Sequence, residues 1–142
     1  MKTLYFYLVM FAAIFTESAA NADVTIEMLN KRDDGAKMVY SEDITRIEVG
    51  ETITWVPTSK GHNVEFIAGP DGWKKPKKSK LNKEVAITFD APGVYLYQCS
   101  PHKSMGMIAI VVEGDGDNNI SKAKVKGKSK KKLKALILMA NL

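Results

Sequence analysis

The sequence predicts an all-β fold, an antiparallel sandwich or barrel, and three observations carry that expectation. Seven short β-like runs fall within roughly 90 residues, turn residues separate them, and no strand alternates with a helical segment in a βαβ rhythm. The runs are Val24 to Leu29, Ile44 to Val49, Thr52 to Val56, Asn63 to Phe66, Glu84 to Phe89, Val94 to Cys99 and Met107 to Val112. Gly50-Glu51 parts the second from the third, and Asp90-Ala91-Pro92-Gly93 parts the fifth from the sixth. Alternation is clearest from Val85 to Phe89, where apolar side chains take every second position.

Three segments lie outside this pattern. Residues 69–80, GPDGWKKPKKSK, are rich in Gly, Pro and Lys and predict an irregular loop. In the tail, Leu133, Leu136, Ile137 and Ala140 recur at helical spacing among lysines, so a helix is expected, with Ser129 as its cap. A basic amphipathic helix suits a membrane surface, but such a stripe more commonly docks on its own domain, and docking is the expectation here. Residues 1–22 have the form of a secretory leader: Lys2, an apolar run from Leu4 to Phe15, then Ala20-Asn21-Ala22 as a small-x-small cleavage pattern. The apolar run is shorter than the span of about 20 residues that a membrane helix needs. The expected organisation is therefore a leader over 1–22 cleaved near Ala22, a β domain over 23–116 and a helical tail over 117–142.

Charge is distributed unevenly. The net charge of +5 divides into −3 over residues 23–117 and +8 over residues 118–142, where eight lysines stand without an acidic residue. The basic character thus belongs to the tail, and no helix-turn-helix, RNP-like or zinc-finger pattern accompanies it, so nucleic acid is not an expected partner.

The stretch CSPHKSMGM, residues 99–107, holds the only cysteine, one of two histidines and two of seven methionines. Export would place Cys99 in an oxidising compartment without a partner in its own chain, so it is buried and inert, paired with another molecule, or protected by a ligand such as a bound metal. Cys99, His102 and a methionine, either Met105 or Met107, combine thiolate, imidazole and thioether. With a second imidazole, that donor set suits copper in an electron-transfer site. His62, between Gly61 and a β run, is the one histidine left to supply it. Nothing in the chain suggests an acid–base pair or a Ser–His arrangement, so a carrier is expected rather than an enzyme.

The stretches GHNVE, APGVYLYQCSPHKSMGM and NKRDDGAKMVY resemble the pseudoazurins, blue-copper members of the cupredoxin family, over almost the whole chain after residue 22. The resemblance implies a Greek-key cupredoxin sandwich with a two-helix ending packed on it, and one copper ion, cycling between Cu(I) and Cu(II), on His62, Cys99, His102 and Met107. It places Met105 and Pro101 in the surround of the site and gives Asn63 the role of fixing the loop by hydrogen bonding near the thiolate. Lys31, Lys60, Lys78, Lys80 and Lys103 match a lysine ring that docks acidic patches of partner proteins. Those partners are periplasmic: copper nitrite reductase above all, with nitrous oxide reductase and c-type cytochromes as others. A monomer without a stable membrane anchor is implied. The sequence departs from the family at Gln98, Lys103 and Ser104, which bears on the potential and the partner surface. A copper chaperone or storage protein, and a plastocyanin-like carrier in another redox chain, are the alternatives.

Overall fold

A computed structural model describes residues 23–115 and 119–142; the leader expected over 1–22 lies outside the described residues, as does the expected junction at 116/117. Among the described residues, eight strands form two four-stranded sheets. They are β1 (Val24–Lys31), β2 (Lys37–Tyr40), β3 (Ile44–Ile47), β4 (Thr52–Val56), β5 (Glu65–Ala68), β6 (Val85–Thr88), β7 (Gly93–Gln98) and β8 (Ile108–Glu113), followed by one α-helix, α1 (Ser129–Met139). One sheet has the order β2-β1-β4-β6 and the other β3-β8-β7-β5. The expected sandwich is present, with two ladders, β1 with β4 and β3 with β8, running parallel rather than antiparallel.

Inward-facing side chains build the core between the sheets. Ile26 and Met28 of β1, Ile53 and Trp55 of β4, and Tyr95 and Tyr97 of β7 sit at alternate positions and are fully buried. Aromatic rings meet mostly edge to face, Trp55 with Tyr97 at 5.2 Å and Tyr40 with Tyr97 at 4.7 Å between centroids. Trp73, from the 69–80 loop, closes one side of this core against Phe66 and Tyr95.

The tail explains why β7 and β8 read as nearly continuous apolar runs. All six residues of each strand are buried, because the second sheet is covered on both faces. Val94, Leu96, Ile108, Ile110 and Val112 point away from the sandwich core, and Ile120, Val125, Leu133, Leu136 and Ala140 of the tail pack on them. The helix therefore docks on its own domain, as its stripe predicts.

Four local expectations are corrected. The tail has one α-helix among the described residues rather than two, and residues 119–128 run as turns and irregular chain. Ser129 does not cap it: Lys128 holds the cap position, and the Ser129 hydroxyl donates instead to the Lys103 carbonyl at 2.5 Å. A strand is gained at β2, and the strand expected from Asn63 begins two residues later, at Glu65. Asn63 and Val64 are withdrawn from the ladder by other partners: the Tyr40 hydroxyl donates to the Asn63 carbonyl, and Val64 exchanges bonds with Ser79.

Candidate metal centre

The loop between β7 and β8 is the hairpin of the two central strands of their sheet. Its ladder runs to the Gln98–Ile108 pair and is extended by the Cys99 N–H donating to the Met107 carbonyl at 3.0 Å. Cys99 and Met107 thus face each other across the hairpin mouth, and both are fully buried. Between them Ser100–His102 form one 3₁₀ turn, with Pro101 in its first turn and the His102 N–H donating to the Cys99 carbonyl. That turn folds His102 back over Cys99.

His62 arrives from the loop before β5. Gly61 takes φ +93°, a conformation that favours glycine, and Asn82 holds the turn by accepting from the Gly61 N–H and donating to the His62 carbonyl. The outcome is a cluster in which the ligand atoms of His62, Cys99 and His102 all lie within 4.8 Å of one another. The Cys99 sulfur lies 3.7 Å from His62 Nδ1 and 3.4 Å from His102 Nδ1. A first-row metal bound at about 2.0 Å to nitrogen and about 2.3 Å to thiolate sets such pairs about 3.5 to 3.7 Å apart at angles from tetrahedral to trigonal. The His62 separation falls at the upper end of that range and the His102 separation about 0.1 Å below its lower end, so the residues present can hold one ion between them after only a small adjustment.

The sequence singled out neither Asn30 nor Ser79, Ser100 and Glu65, which complete the arrangement. Asn30 Oδ1 accepts from His62 Nε2 at 2.8 Å, which puts the imidazole proton on Nε2 and leaves the Nδ1 lone pair facing Cys99. Asn63 joins the two loops: its Nδ2 donates to the Ser79 carbonyl and Ser100 Oγ, each at 3.1 Å, and its Oδ1 accepts from the Ser100 N–H at 2.8 Å. Beyond it, Gln98 at 2.8 Å and Ser100 at 2.9 Å donate to Glu65 Oε2. These bonds, the Gln98 amide foremost, with the nearby Lys78 and Lys103 charges, hold the Glu65 carboxyl below the usual carboxylate range against the opposing effect of burial.

Burial pushes the Cys99 thiol up, and the backbone N–H groups of Asn63 and His102 that reach its sulfur draw it partly back. Burial, and then the neighbouring His102, push the His62 imidazole down and so favour its neutral form. Burial thus makes the His62 imidazole a poor resting place for a proton while the Cys99 sulfur holds its own, and a soft cation that displaces that proton meets a neutral imidazole and a thiolate together.

The remaining predicted positions surround this pole. Pro101 is exposed beside the partly exposed His102. Met105 is half-exposed and shares a groove with Val39, Lys128 and Met139, outside the buried cluster. Each expected docking lysine neighbours a residue of the site: Lys31 follows Asn30, Lys60 precedes Gly61 and His62, Lys78 and Lys80 flank Ser79, and Lys103 follows His102. Lys78 and Lys80 line a hollow with Asn63, Ser100 and Pro101.

Comparison with known proteins agrees with this geometry. Residues 26–113 match the family model described as copper binding proteins, plastocyanin/azurin family. A pseudoazurin-like protein of Rhizobium leguminosarum bv. viciae is 43% identical over 116 residues, 78% of this chain and 75% of its own. The pseudoazurin of Methylorubrum extorquens is 44% identical over 105 residues, 72% and 70% of the two chains. The crystal structure of native pseudoazurin from Hyphomicrobium denitrificans superposes with a TM-score of 0.77 at 36% identity, over 83% of this chain and 98% of that one. Sheet order, the metal-fitting pole and sequence agree on one lineage, and the chain belongs to the plastocyanin/azurin family of copper-binding proteins, among its pseudoazurins.

Proposed function

We propose that this cupredoxin holds one copper ion on His62, Cys99, His102 and Met107 and carries single electrons through the periplasm to a copper nitrite reductase or another reductase of denitrification. The observation that carries the ligand assignment is the pair of Nδ1 atoms at 3.4 and 3.7 Å from one buried sulfur, with His62 Nε2 already engaged by Asn30. Copper bound there supplies a one-electron couple.

The chain's own residues supply the rest. Cys99 and Met107 are fixed by the hairpin ladder, His62 by Asn30 and Asn82, and His102 by its 3₁₀ turn, so the donor positions are held before any metal binds. A frame that does not rearrange between oxidation states keeps the cost of each electron transfer low. Burial of His62, Cys99 and Met107 keeps water from the cluster, while partly exposed His102 offers one edge to a partner.

Release must be fast, which favours a small contact and electrostatic recognition. Lys31, Lys60, Lys78, Lys80 and Lys103 supply positive charge around the exposed edge and fit partners with acidic patches. Family membership makes the protein a carrier rather than an enzyme. The leader over 1–22 supports export, and a mature protein beginning near Asp23 is its expected mass-spectrometric signature.

The test is a visible absorption spectrum of the copper-loaded, oxidised protein, before and after a reductant. Strong blue or green colour that bleaches, and that a Cys99→Ser variant lacks, is the expected result. A colourless protein that takes up no Cu(II) would overturn the assignment. For the partner, electron delivery to a copper nitrite reductase should slow as salt rises, since exposed charges are screened over about 10 Å at 0.1 M ionic strength.

A further inference from the structure

The docked tail leaves its outward face unexplained. Lys130, Lys134 and Leu138 follow at four-residue intervals along α1, on the side turned away from the buried stripe of Leu133, Leu136 and Ala140. Leu138 is 76% exposed among the described residues, a large apolar side chain at the outer surface. Beside the helix runs a groove of about 540 Å³ between α1 and the preceding segment. Its floor includes Ala123, Val125 and Ile137, and its rim carries Lys124, Lys126, Lys130 and Lys134. Residues 119–142 contain no Asp or Glu, and none of the ion pairs among the described residues engages these four lysines.

We propose that this face docks reversibly on an anionic phospholipid bilayer. The rim lysines would lie among the headgroups, with Leu138 and the groove's apolar floor at the headgroup–acyl boundary. Charge complementarity names an anionic occupant, and the residue types select a bilayer over a protein. Closely packed protein-binding patches gather Arg, Tyr and Trp at their centres and are depleted in Lys, unlike the small, fast-exchanging contact proposed for the lysines around the metal pole. This face has lysine and aliphatic residues with one serine, Ser121, and no arginine or aromatic side chain stands in the tail. Lysine is a hydrated point charge on a flexible stem, suited to a diffuse sheet of negative charge rather than a fixed bidentate site. Basic residues beside exposed aliphatic ones are the pattern by which a helix lies in a membrane interface without crossing it. Among the described residues no helix is long and apolar enough to cross a membrane.

The mode of attachment gives the contact a consequence at the other end of the helix. The Lys128 N–H donates to the Ser104 carbonyl at 2.9 Å and the Ser129 hydroxyl to the Lys103 carbonyl, so α1 is fastened to the loop that carries His102. A bilayer under α1 would fix the orientation of that loop to the membrane plane. The inference stands apart from the copper assignment and holds with or without metal.

The test is cosedimentation of residues 23–142, which carry every described strand and the helix, with phosphatidylglycerol-containing vesicles and with pure phosphatidylcholine vesicles. Binding to the anionic vesicles alone, lost by about 0.5 M salt, is expected. Changing Lys124, Lys126, Lys130 and Lys134 together to Gln should lower partitioning on the order of 100- to 1,000-fold, while the same four changed to Arg should retain it. Leu138→Ser should weaken binding about tenfold, and all variants should keep the parent melting temperature. Failure to sediment with anionic vesicles at low salt, or unchanged binding by the Gln variant, would overturn the proposal. Equal affinity for polyglutamate and for vesicles would also overturn it, in favour of an acidic protein partner.

Discussion

Replacing Asn63 by alanine would test whether the two ligand loops are held as one unit. Asn63 is almost fully buried and its side chain makes three hydrogen bonds, at 2.8, 3.1 and 3.1 Å, to Ser100 and Ser79. Alanine leaves the Ser100 N–H and the Ser79 carbonyl without these partners in a partly buried position. At about 1 to 3 kcal/mol per orphaned group, partly relieved by water at the Ser79 side, the expected loss is about 2 to 4 kcal/mol. For a domain of this size that lowers the melting temperature by about 6 to 16 °C. Copper-free protein is the right sample, because a bound metal would stabilise the folded state by mass action and mask the loss. Ser100→Ala alone, which removes hydroxyl bonds only, should cost about 1 kcal/mol. The double variant should lose less than the sum of the two, because both single changes break the same Asn63–Ser100 contact. A drop below about 3 °C for Asn63→Ala, or strict additivity in the cycle, would refute the claim that Asn63 bridges the loops.

Three further outcomes are expected. Asn30→Ala removes the acceptor that places the His62 proton on Nε2, and should weaken copper binding about 10- to 100-fold in a chelator competition, with little change in copper-free melting. Leu136→Ala, fully buried between the helix and the second sheet, should cost about 2 to 5 kcal/mol in denaturant melts, whereas an undocked tail would lose nothing. Burial pushes the Glu113 carboxyl up, so the folded state favours its protonated form. That contribution is full below the ordinary carboxylate range and is lost as pH rises through the folded value. Glu113→Gln should therefore melt a few degrees above the parent at pH 7, with the gap closing on acidification; an equal gap at all pH values would contradict the burial argument.

What the sequence disclosed of this molecule follows from which physical signals are local. Alternation and turn residues announced seven of the eight strands, since a strand's two faces are written in its own residues. The exception, β2, spans four residues and contains Met38 at φ +51°, a backbone state that period-two patterning does not anticipate. The two parallel ladders were hidden for a related reason: pairing direction is a property of the chain path between strands, not of either strand. In the site, Cys99 and His102 were legible because scarce ligand types crowd into one loop. Asn30 was not, because an asparagine at the end of a strand is common and only the fold carries it to His62. The early end of the expected strand at Asn63 was hidden in the same way, since the Tyr40 hydroxyl takes the Asn63 carbonyl and Ser79, fifteen positions after Val64, takes the Val64 N–H and carbonyl that a ladder would have used.

The tail joins these two kinds of information. Its apolar stripe is local and predicts docking; what the docking secures is not. Gly127 stands at φ +57°, and a Cβ there would come within 2.4 Å of the Ser104 carbonyl oxygen, so a residue without a side chain is required for the tail to approach the metal loop this closely. Immediately after it, Lys128 and Ser129 bond to the Ser104 and Lys103 carbonyls. Those two carbonyls lie in the turn after His102, the part of the loop that no strand ladder reaches. The same helix that buries the outer face of β7 and β8 thus ties down the segment between their ends. Ser104 and Lys103 take part through their backbone carbonyls. Their side chains are therefore free to vary while the loop stays braced, and the brace depends on Gly127 and Ser129 instead.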